Sequence, residues 1–389
     1  MAAKQMVYRP EHLIAARFNR SSASSIVSEN ERRMLRLILR QPGLPRATMT
    51  TELDLTQQSV HRIAGDLTAR GLLSLGPAPP PSGRGKPSPS LHLNPDFAYV
   101  WGISLNTDEI GLCLMDFSGN RIAGELLPLD ARRREVTLTT IAEKMQILRN
   151  DHGLHEDRCL GMGFGITGFR LSGTQYNPPL PLHEWSLIEL GPLLSARFRI
   201  PVWIENNANT SALGEAMLGL GHDLKTFAYI SFNYGLGGAV VIDRKLVTGG
   251  RGNAGEISAI FTPEERLHRP ALQYLLERLN DKGIDLASVS EMAQRYDPAW
   301  PGLDEWADEV SPNFNRIVAA FWAVLDPEAV ILGGQIPTGL AEKLIARVNL
   351  TDINRYGISR QKPCLLVSEL GPHASSVGAA AYALGQCCF

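Results

Sequence analysis

The sequence predicts an α/β protein of two lobes with a small helical head at its N-terminus. Three observations carry that expectation. Residues 1–95 hold 13 Lys and Arg against 6 Asp and Glu, a charge of about +7, whereas the remainder sums to −9. Three helical segments crowd into about 45 residues beginning at Asn30, and a Pro/Gly-rich stretch follows them. From Val100 onward the texture changes to strands alternating with helices, and the same hairpin-plus-helix unit recurs after Phe227.

At 389 residues the chain is too long for one simple core. The expected organisation is an arm over 1–28, a head over 29–95 and a two-lobe body over 96–389, the first lobe being completed by the last helix. Composition is that of an ordinary globular protein, 44% hydrophobic and 20% charged with a net charge of −2. No run of 18 apolar residues suggests a membrane span, and the N-terminus lacks the apolar core of a signal peptide. Cysteines 113, 159, 364, 387 and 388 show no C-x-x-C spacing, and Cys387 and Cys388 lie at an exposed-looking end. A reducing cytoplasm fits this usage, and no membrane partner is expected.

In the head, Met34, Leu35, Leu37, Ile38 and Leu39 form an apolar face that Pro42-Gly43 ends. Arg46 to Leu53 makes a second short helix. Thr56 then reads as the N-cap of a third, with Val60, Ile63, Leu67 and Leu72 or Leu73 turned inward. This is the layout of a helix-turn-helix. The exposed start of the third helix presents Gln57, Gln58, Ser59, His61 and Arg62, with Arg46 nearby. Gln can pair with adenine, Arg with guanine and Ser with phosphate, although a solvated helix face would look the same. Two short strands around Pro77 to Pro89 describe a wing, whose Arg84 and Lys86 suit a narrow minor groove; an inter-domain linker is the alternative.

In the body, strands are expected over Val100–Leu105, Ile110–Asp116 and after Ser118-Gly119-Asn120, with a helix over Val136–Asn150. A strand over Leu160–Ile166, a helix over Leu187–Phe198 and a strand over Val202–Glu205 follow. The last delivers Glu205-Asn206-Asn207-Ala208-Asn209 at its C-terminal end, where ligands commonly gather in open α/β sheets. The second cycle has strands at Phe227–Phe232 and Ala239–Ile242, a turn at Asp243-Arg244-Lys245, a helix over 303–325, a strand over Ala329–Leu332 and a final helix over Gly378–Leu384. Asn206, Asn207 and Glu256 offer amides and a carboxylate able to donate and accept in fixed directions, with backbone contacts near Thr167-Gly168. One of the three asparagines is expected to cap the following helix.

These motifs, in this order and spacing, resemble the ROK family, which groups sugar-responsive repressors with sugar kinases. Leu55 to Arg62 resembles the repressors' helix-turn-helix and Gly85-Lys86-Pro87-Ser88 their wing. Glu205 to Asn209 and Gly252-Asn253-Ala254-Gly255-Glu256-Ile257 resemble the two sugar-site motifs, and Asp326 to Gly334 the strand entering the second lobe. The resemblance implies an actin-like, hexokinase-type two-lobe fold. In the kinases an Asp stands at the place of Asn207 and takes the proton from the sugar hydroxyl, which an amide cannot do. Gly102-Ile103-Ser104-Leu105-Asn106-Thr107 lacks the paired glycines of the family's phosphate turn, and Gly235 to Gly238 reads as a tight strand-to-strand turn. Ser258-Ala259 and the lack of cysteines between 160 and 363 remove the family's zinc ligands, so neither metal nor cofactor is expected. His183 and His268 read as surface or hydrogen-bonding residues rather than ligands. Gln273 aligns with a family residue that touches the sugar.

The resulting expectation is a non-enzymatic transcriptional regulator, a repressor, that binds operator DNA as a homodimer or homotetramer and responds to a sugar or polyol. A sugar-phosphate effector would require Arg170 or Arg251 at the cleft. The alternative is an active ATP-dependent sugar kinase. Deleting 1–95 is expected to abolish duplex binding and to leave any ligand-induced stabilisation intact.

Overall fold

The computed structural model describes residues 27–77, 89–129, 131–351 and 356–389. Most of the expected arm and the tip of the expected wing, with Arg84 and Lys86, lie outside the described residues.

Three helices form the head: α1 (Glu29–Arg40), α2 (Arg46–Leu53) and α3 (Gln57–Ala69). The apolar face of α1 buries Met34, Leu35 and Ile38 against Val60, Ile63 and Leu67 of α3. Glu31 is also buried. It accepts the Ser28 backbone N–H at 2.6 Å, closing a capping box, and the Arg70 guanidinium at 2.6 Å, tying α1 to the end of α3. Asp54 ends α2 with a left-handed φ of 51°. Thr56 caps α3 as its residue type suggests, accepting the Ser59 N–H at 3.2 Å. Strands β1 (Leu73–Leu75) and β2 (Leu91–Leu93) pair antiparallel, Leu73 opposite Leu93, as the stem of a hairpin consistent with a wing.

The body repeats one pattern twice. Strands β3 (Tyr99–Leu105), β4 (Glu109–Asp116) and β5 (Arg121–Pro128) make a meander, and helix α4 (Arg134–Asp151) leads to β6 (Cys159–Ile166). A small hairpin, β7 (Phe169–Ser172) and β8 (Gln175–Asn177), precedes α5 (Leu190–Phe198), β9 (Val202–Asn206) and α6 (Asn207–Leu218). The first sheet runs β5-β4-β3-β6-β9, with β3, β6 and β9 parallel. The second cycle comprises β10 (Phe227–Phe232), β11 (Leu236–Ile242), β12 (Lys245–Leu246), α7 (Leu272–Asp281), α8 (Val289–Gln294) and α9 (Leu303–Leu325). It ends with β13 (Ala329–Gly334), α10 (Thr338–Ile345), β14 (Cys364–Val367) and α11 (Ala374–Cys387). Its sheet runs β12-β11-β10-β13-β14, with β10, β13 and β14 parallel. Each sheet has its own apolar core, and this is the actin-like, hexokinase-type architecture that the motifs imply. Among the described residues no helix is long and apolar enough to cross a membrane.

Helices α6 and α11 pack against each other at the centre. The approach is close enough that a Cβ on Gly378 would lie 1.6 Å from the Thr210 carbonyl oxygen. One on Gly163 would lie 1.8 Å from that of Ala379, so β6 and α11 meet backbone to backbone. Helix α11 begins at Ala374, a turn earlier than the sequence suggests. Helix α5 begins at Leu190 because Leu187 adopts a φ of 59°.

The head is not a separable bead. Its core continues without a break through Phe97, Val100, Cys113, Met115 and Phe117 into Leu384, Cys387, Cys388 and Phe389 at the end of α11. Arg32 and Arg36 donate to the Phe389 backbone oxygen at 2.6 and 2.7 Å, and Arg32 also reaches Gly385 O at 3.1 Å. The Phe389 ring tilts against Phe117 with centroids 5.5 Å apart. Cys387 and Cys388 are therefore buried rather than exposed, and burial pushes the Cys388 thiol up to about 12. Removing 1–95 would uncover this apolar face of the first lobe. Phe389→Ala is expected to cost about 3 kcal/mol in urea unfolding and to loosen the head and first lobe together. A change below about 1 kcal/mol would show that the shared core is not a structural unit.

Candidate functional site

The C-terminal ends of β3, β6 and β9 line up, with Leu105, Ile166 and Asn206 in adjacent register. Immediately beyond them stand Asn106, Thr167-Gly168 and Asn207, so three separate segments converge where open α/β sheets place ligands.

Asn207 is 3% exposed, and its carboxamide is fully engaged. The amino group donates to Leu105 O at 2.8 Å, Asn106 Oδ1 at 3.1 Å and Thr167 Oγ1 at 3.1 Å. Its Oδ1 accepts from the Ser375 hydroxyl of α11 at 2.9 Å. A backbone carbonyl can only accept, so the Leu105 contact fixes which end of the amide faces inward. Asn206 serves two purposes. Its Oδ1 caps α6 by accepting Ala208 N–H at 2.7 Å, while its amino group donates to Gly168 O at 2.8 Å and Glu256 Oε1 at 3.4 Å. Gly168 needs its φ of 112°, and a Cβ there would meet Asn177 O at 2.5 Å. Asn209 donates to Glu205 Oε1 at 3.1 Å. The structure thus joins Gly168, Asn206, Asn207 and Glu256 in one cluster.

Glu205, 1% exposed, anchors the base of the cluster. It accepts from Asn206 N at 2.8 Å and pairs with Arg170 at 3.3 Å. Arg170 also donates to the Tyr176 hydroxyl at 2.9 and 3.1 Å and to Ile204 O at 3.3 Å, so its guanidinium is committed to protein groups. The loop carrying Glu256 is held by Asn253, whose carboxamide accepts Arg170 N–H and donates to Arg170 O, both at 2.8 Å. Gly255 approaches β11 so closely that a Cβ would lie 2.3 Å from Gly238 O. Burial raises the Glu256 carboxyl above the ordinary carboxylate range. Asn106, Thr167, Arg170, Asn253 and Ser375 complete the site. Arg170 appears in the sequence reading only as a possible phosphate ligand, and Ser375 carries no local signal at all.

Other candidates fall elsewhere. Gln273 lies half-buried in the first turn of α7, bound through its backbone N–H to Tyr234 O at 3.3 Å and outside the cluster's hydrogen bonds. Gly235 belongs to the β10–β11 turn, closed by Asn233 N–H to Gly235 O at 2.9 Å, and Gly237 and Gly238 lie within β11. His268 pairs with Glu309 at 2.7 Å, and His183 is exposed. Among the described residues no three His, Cys, Asp or Glu side chains form a metal-holding group.

On the head, Gln57, Gln58, His61 and Arg62 are exposed on α3. Arg62 leans on Asp66 at 3.4 Å, and Arg46 donates to His61 Nδ1 at 3.3 Å. The Ser59 hydroxyl accepts from Thr56 at 2.9 Å. These residues form one polar face.

The two sheets, their central helices and this strand-end cluster form a two-lobe α/β body behind a three-helix head with a short hairpin stem. Residues 100–268 match the ROK family, and the chain carries a ROK family domain. It is 24% identical to the xylose repressor of Staphylococcus xylosus over 309 residues, covering 75% of this chain and 78% of that protein. It is 25% identical to an uncharacterized protein of Sinorhizobium fredii over 359 residues, 91% of this chain and 90% of that one. Among solved structures, a ROK family transcriptional regulator homologous to the E. coli Mlc protein superposes with a TM-score of 0.68 at 18% identity, covering 92% of this chain and 96% of its own. Residues 96–389 make up about three quarters of the sequence, so that match extends into the head. A ROK glucokinase from Streptomyces griseus superposes at 0.57 with 20% identity, covering 73% of this chain and 99% of its own.

Asn207→Asp would set a carboxylate against Leu105 O and Asn106 Oδ1, which have no proton to offer. It is expected to cost about 2–4 kcal/mol in chemical denaturation at neutral pH; unchanged stability would contradict the network described. For Glu256 the folded carboxyl titrates above the unfolded one. Stability present below the unfolded value is therefore lost as pH rises through the folded one. Glu256→Gln does not titrate, so its Tm relative to wild type should rise from about pH 5 to about pH 8. A constant difference would contradict the burial of that group.

Proposed function

We propose that this protein is a sugar-responsive transcriptional repressor. Its head binds double-stranded operator DNA, and its cleft holds a neutral sugar or polyol without phosphorylating it. The observation that carries the reading is the Asn207 carboxamide, which occupies the motif position of a catalytic base. It has no basic lone pair, and its polar atoms are spent on Leu105, Asn106, Thr167 and Ser375. Asn206, Glu256 and the Gly168 backbone remain as the groups suited to sugar hydroxyls.

A sugar phosphate is disfavoured because Arg170 already neutralises Glu205 and binds Tyr176. Relatives named xylose repressors support a pentose as the first effector to try. Gln57, Gln58, His61 and Arg62 are proposed to read base edges, with Arg46, Ser59, Arg84 and Lys86 contacting phosphates or the minor groove. Paired heads in a homodimer or homotetramer would then read half-sites about one helical turn apart, or a multiple of that.

The test is duplex binding by fluorescence anisotropy after selection from a random library, with and without D-xylose. Sequence-specific binding weakened by sugar is expected. Arg62→Ala should weaken the selected duplex by about 1–3 kcal/mol. Failure to enrich any duplex would overturn the reading.

A further inference from the structure

The β3–β4 turn, residues 106–108, and Glu109 at the start of β4 present two carboxylates, just after the stretch that aligns with the family's phosphate turn. Both reach across the cleft. Asp108 Oδ2 accepts the Ser290 backbone N–H at 2.7 Å, and Glu109 Oε2 accepts the Ser290 hydroxyl at 2.8 Å. Ser290 opens α8, whose Val289 and Met292 belong to the second lobe's core, whereas Leu105 and Ile110 on either side of the turn belong to the first. On its other side the turn touches the effector cluster, since Asn106 Oδ1 accepts from Asn207 at 3.1 Å. Within it, the Thr107 hydroxyl donates to Asp108 Oδ1 at 3.2 Å. One short segment is thus bonded to the cluster on one side and to the opposite lobe on the other.

We propose that Asp108 and Glu109 form a latch that holds the second lobe against the first, and that the effector acts by shifting its closed population. This inference rests on the cleft being an effector site. The head cannot move freely against the first lobe, because they share one core and the Phe389 clamp. Motion of the second lobe is what remains to alter the arrangement of a pair of subunits. The latch is also built to release. Glu109 is 3% exposed, its Oε1 has no hydrogen-bond partner, and its ionised form is stabilised by only one hydroxyl. A contact meant for stability alone would be better satisfied.

Two variants test this. Asp108→Ala removes the half-buried partner of Ser290 N–H. Asp108→Cys/Ser290→Cys allows the closed state to be trapped by oxidation. Small-angle X-ray scattering without sugar should give a larger radius of gyration for Asp108→Ala than for wild type, and the smallest value for the oxidised double variant. Calorimetry should show D-xylose binding weakened at least about fivefold by Asp108→Ala, in proportion to the lost closed fraction. Identical scattering of wild type, Asp108→Ala and the oxidised form would overturn the latch. If wild type binds no sugar while the scattering differences appear, the latch stands and the effector reading fails.

Discussion

One buried carboxamide organises this molecule. Asn207 stands at the first turn of the helix between the two sheets, and its four hydrogen bonds reach β3, the β3–β4 turn, the end of β6 and helix α11. Leaving any of those partners unpaired in so buried a place would cost on the order of 1–3 kcal/mol each. The amide donates to the Leu105 carbonyl, an acceptor only, which a carboxylate could not do.

From that point order spreads in two directions. Toward the surface, Asn206 turns its amide to Gly168 and Glu256, and the Asn253–Arg170 pairing holds the Glu256 loop in place. Toward the head, Ser375 lies in the first turn of helix α11, which meets the first sheet at Gly163, and Phe389 just beyond its end accepts from Arg32 and Arg36. The cluster and the polar face of α3 therefore sit on one continuous body. A ligand can bias such a system only through a difference in affinity between two arrangements.

Much of this was legible in the sequence. The head's helices follow from apolar spacing at Met34, Leu35, Ile38, Val60, Ile63 and Leu67, and Thr56 announces its cap through residue type. Strand alternation and the recurrence of hairpin-plus-helix units point to two lobes, and the Glu205–Asn209 run lands at a strand end as its position suggests. What escaped was long-range or weakly patterned. The β7–β8 hairpin is exposed on most of β7, and α8, α10 and β14 are short. Helix α7 carries a readable spacing at Leu272, Leu275 and Leu279 but follows a loop whose family pattern is altered. The partners of Asn207 come from residues 105, 106, 167 and 375, separations that no local pattern encodes. Burial of Cys387 and Cys388 depends on where α11 docks, which their position in the chain does not reveal.

The most direct test of a cleft that binds without reacting is to measure occupancy and turnover in one sample. D-xylose, then a panel of monosaccharides and polyols, would be titrated calorimetrically into the protein with MgATP present, and the same solution assayed for phosphorylated sugar and ADP. Saturable binding with no product above the protein-free rate is the expected result. Steady, protein-dependent formation of a sugar phosphate would contradict it.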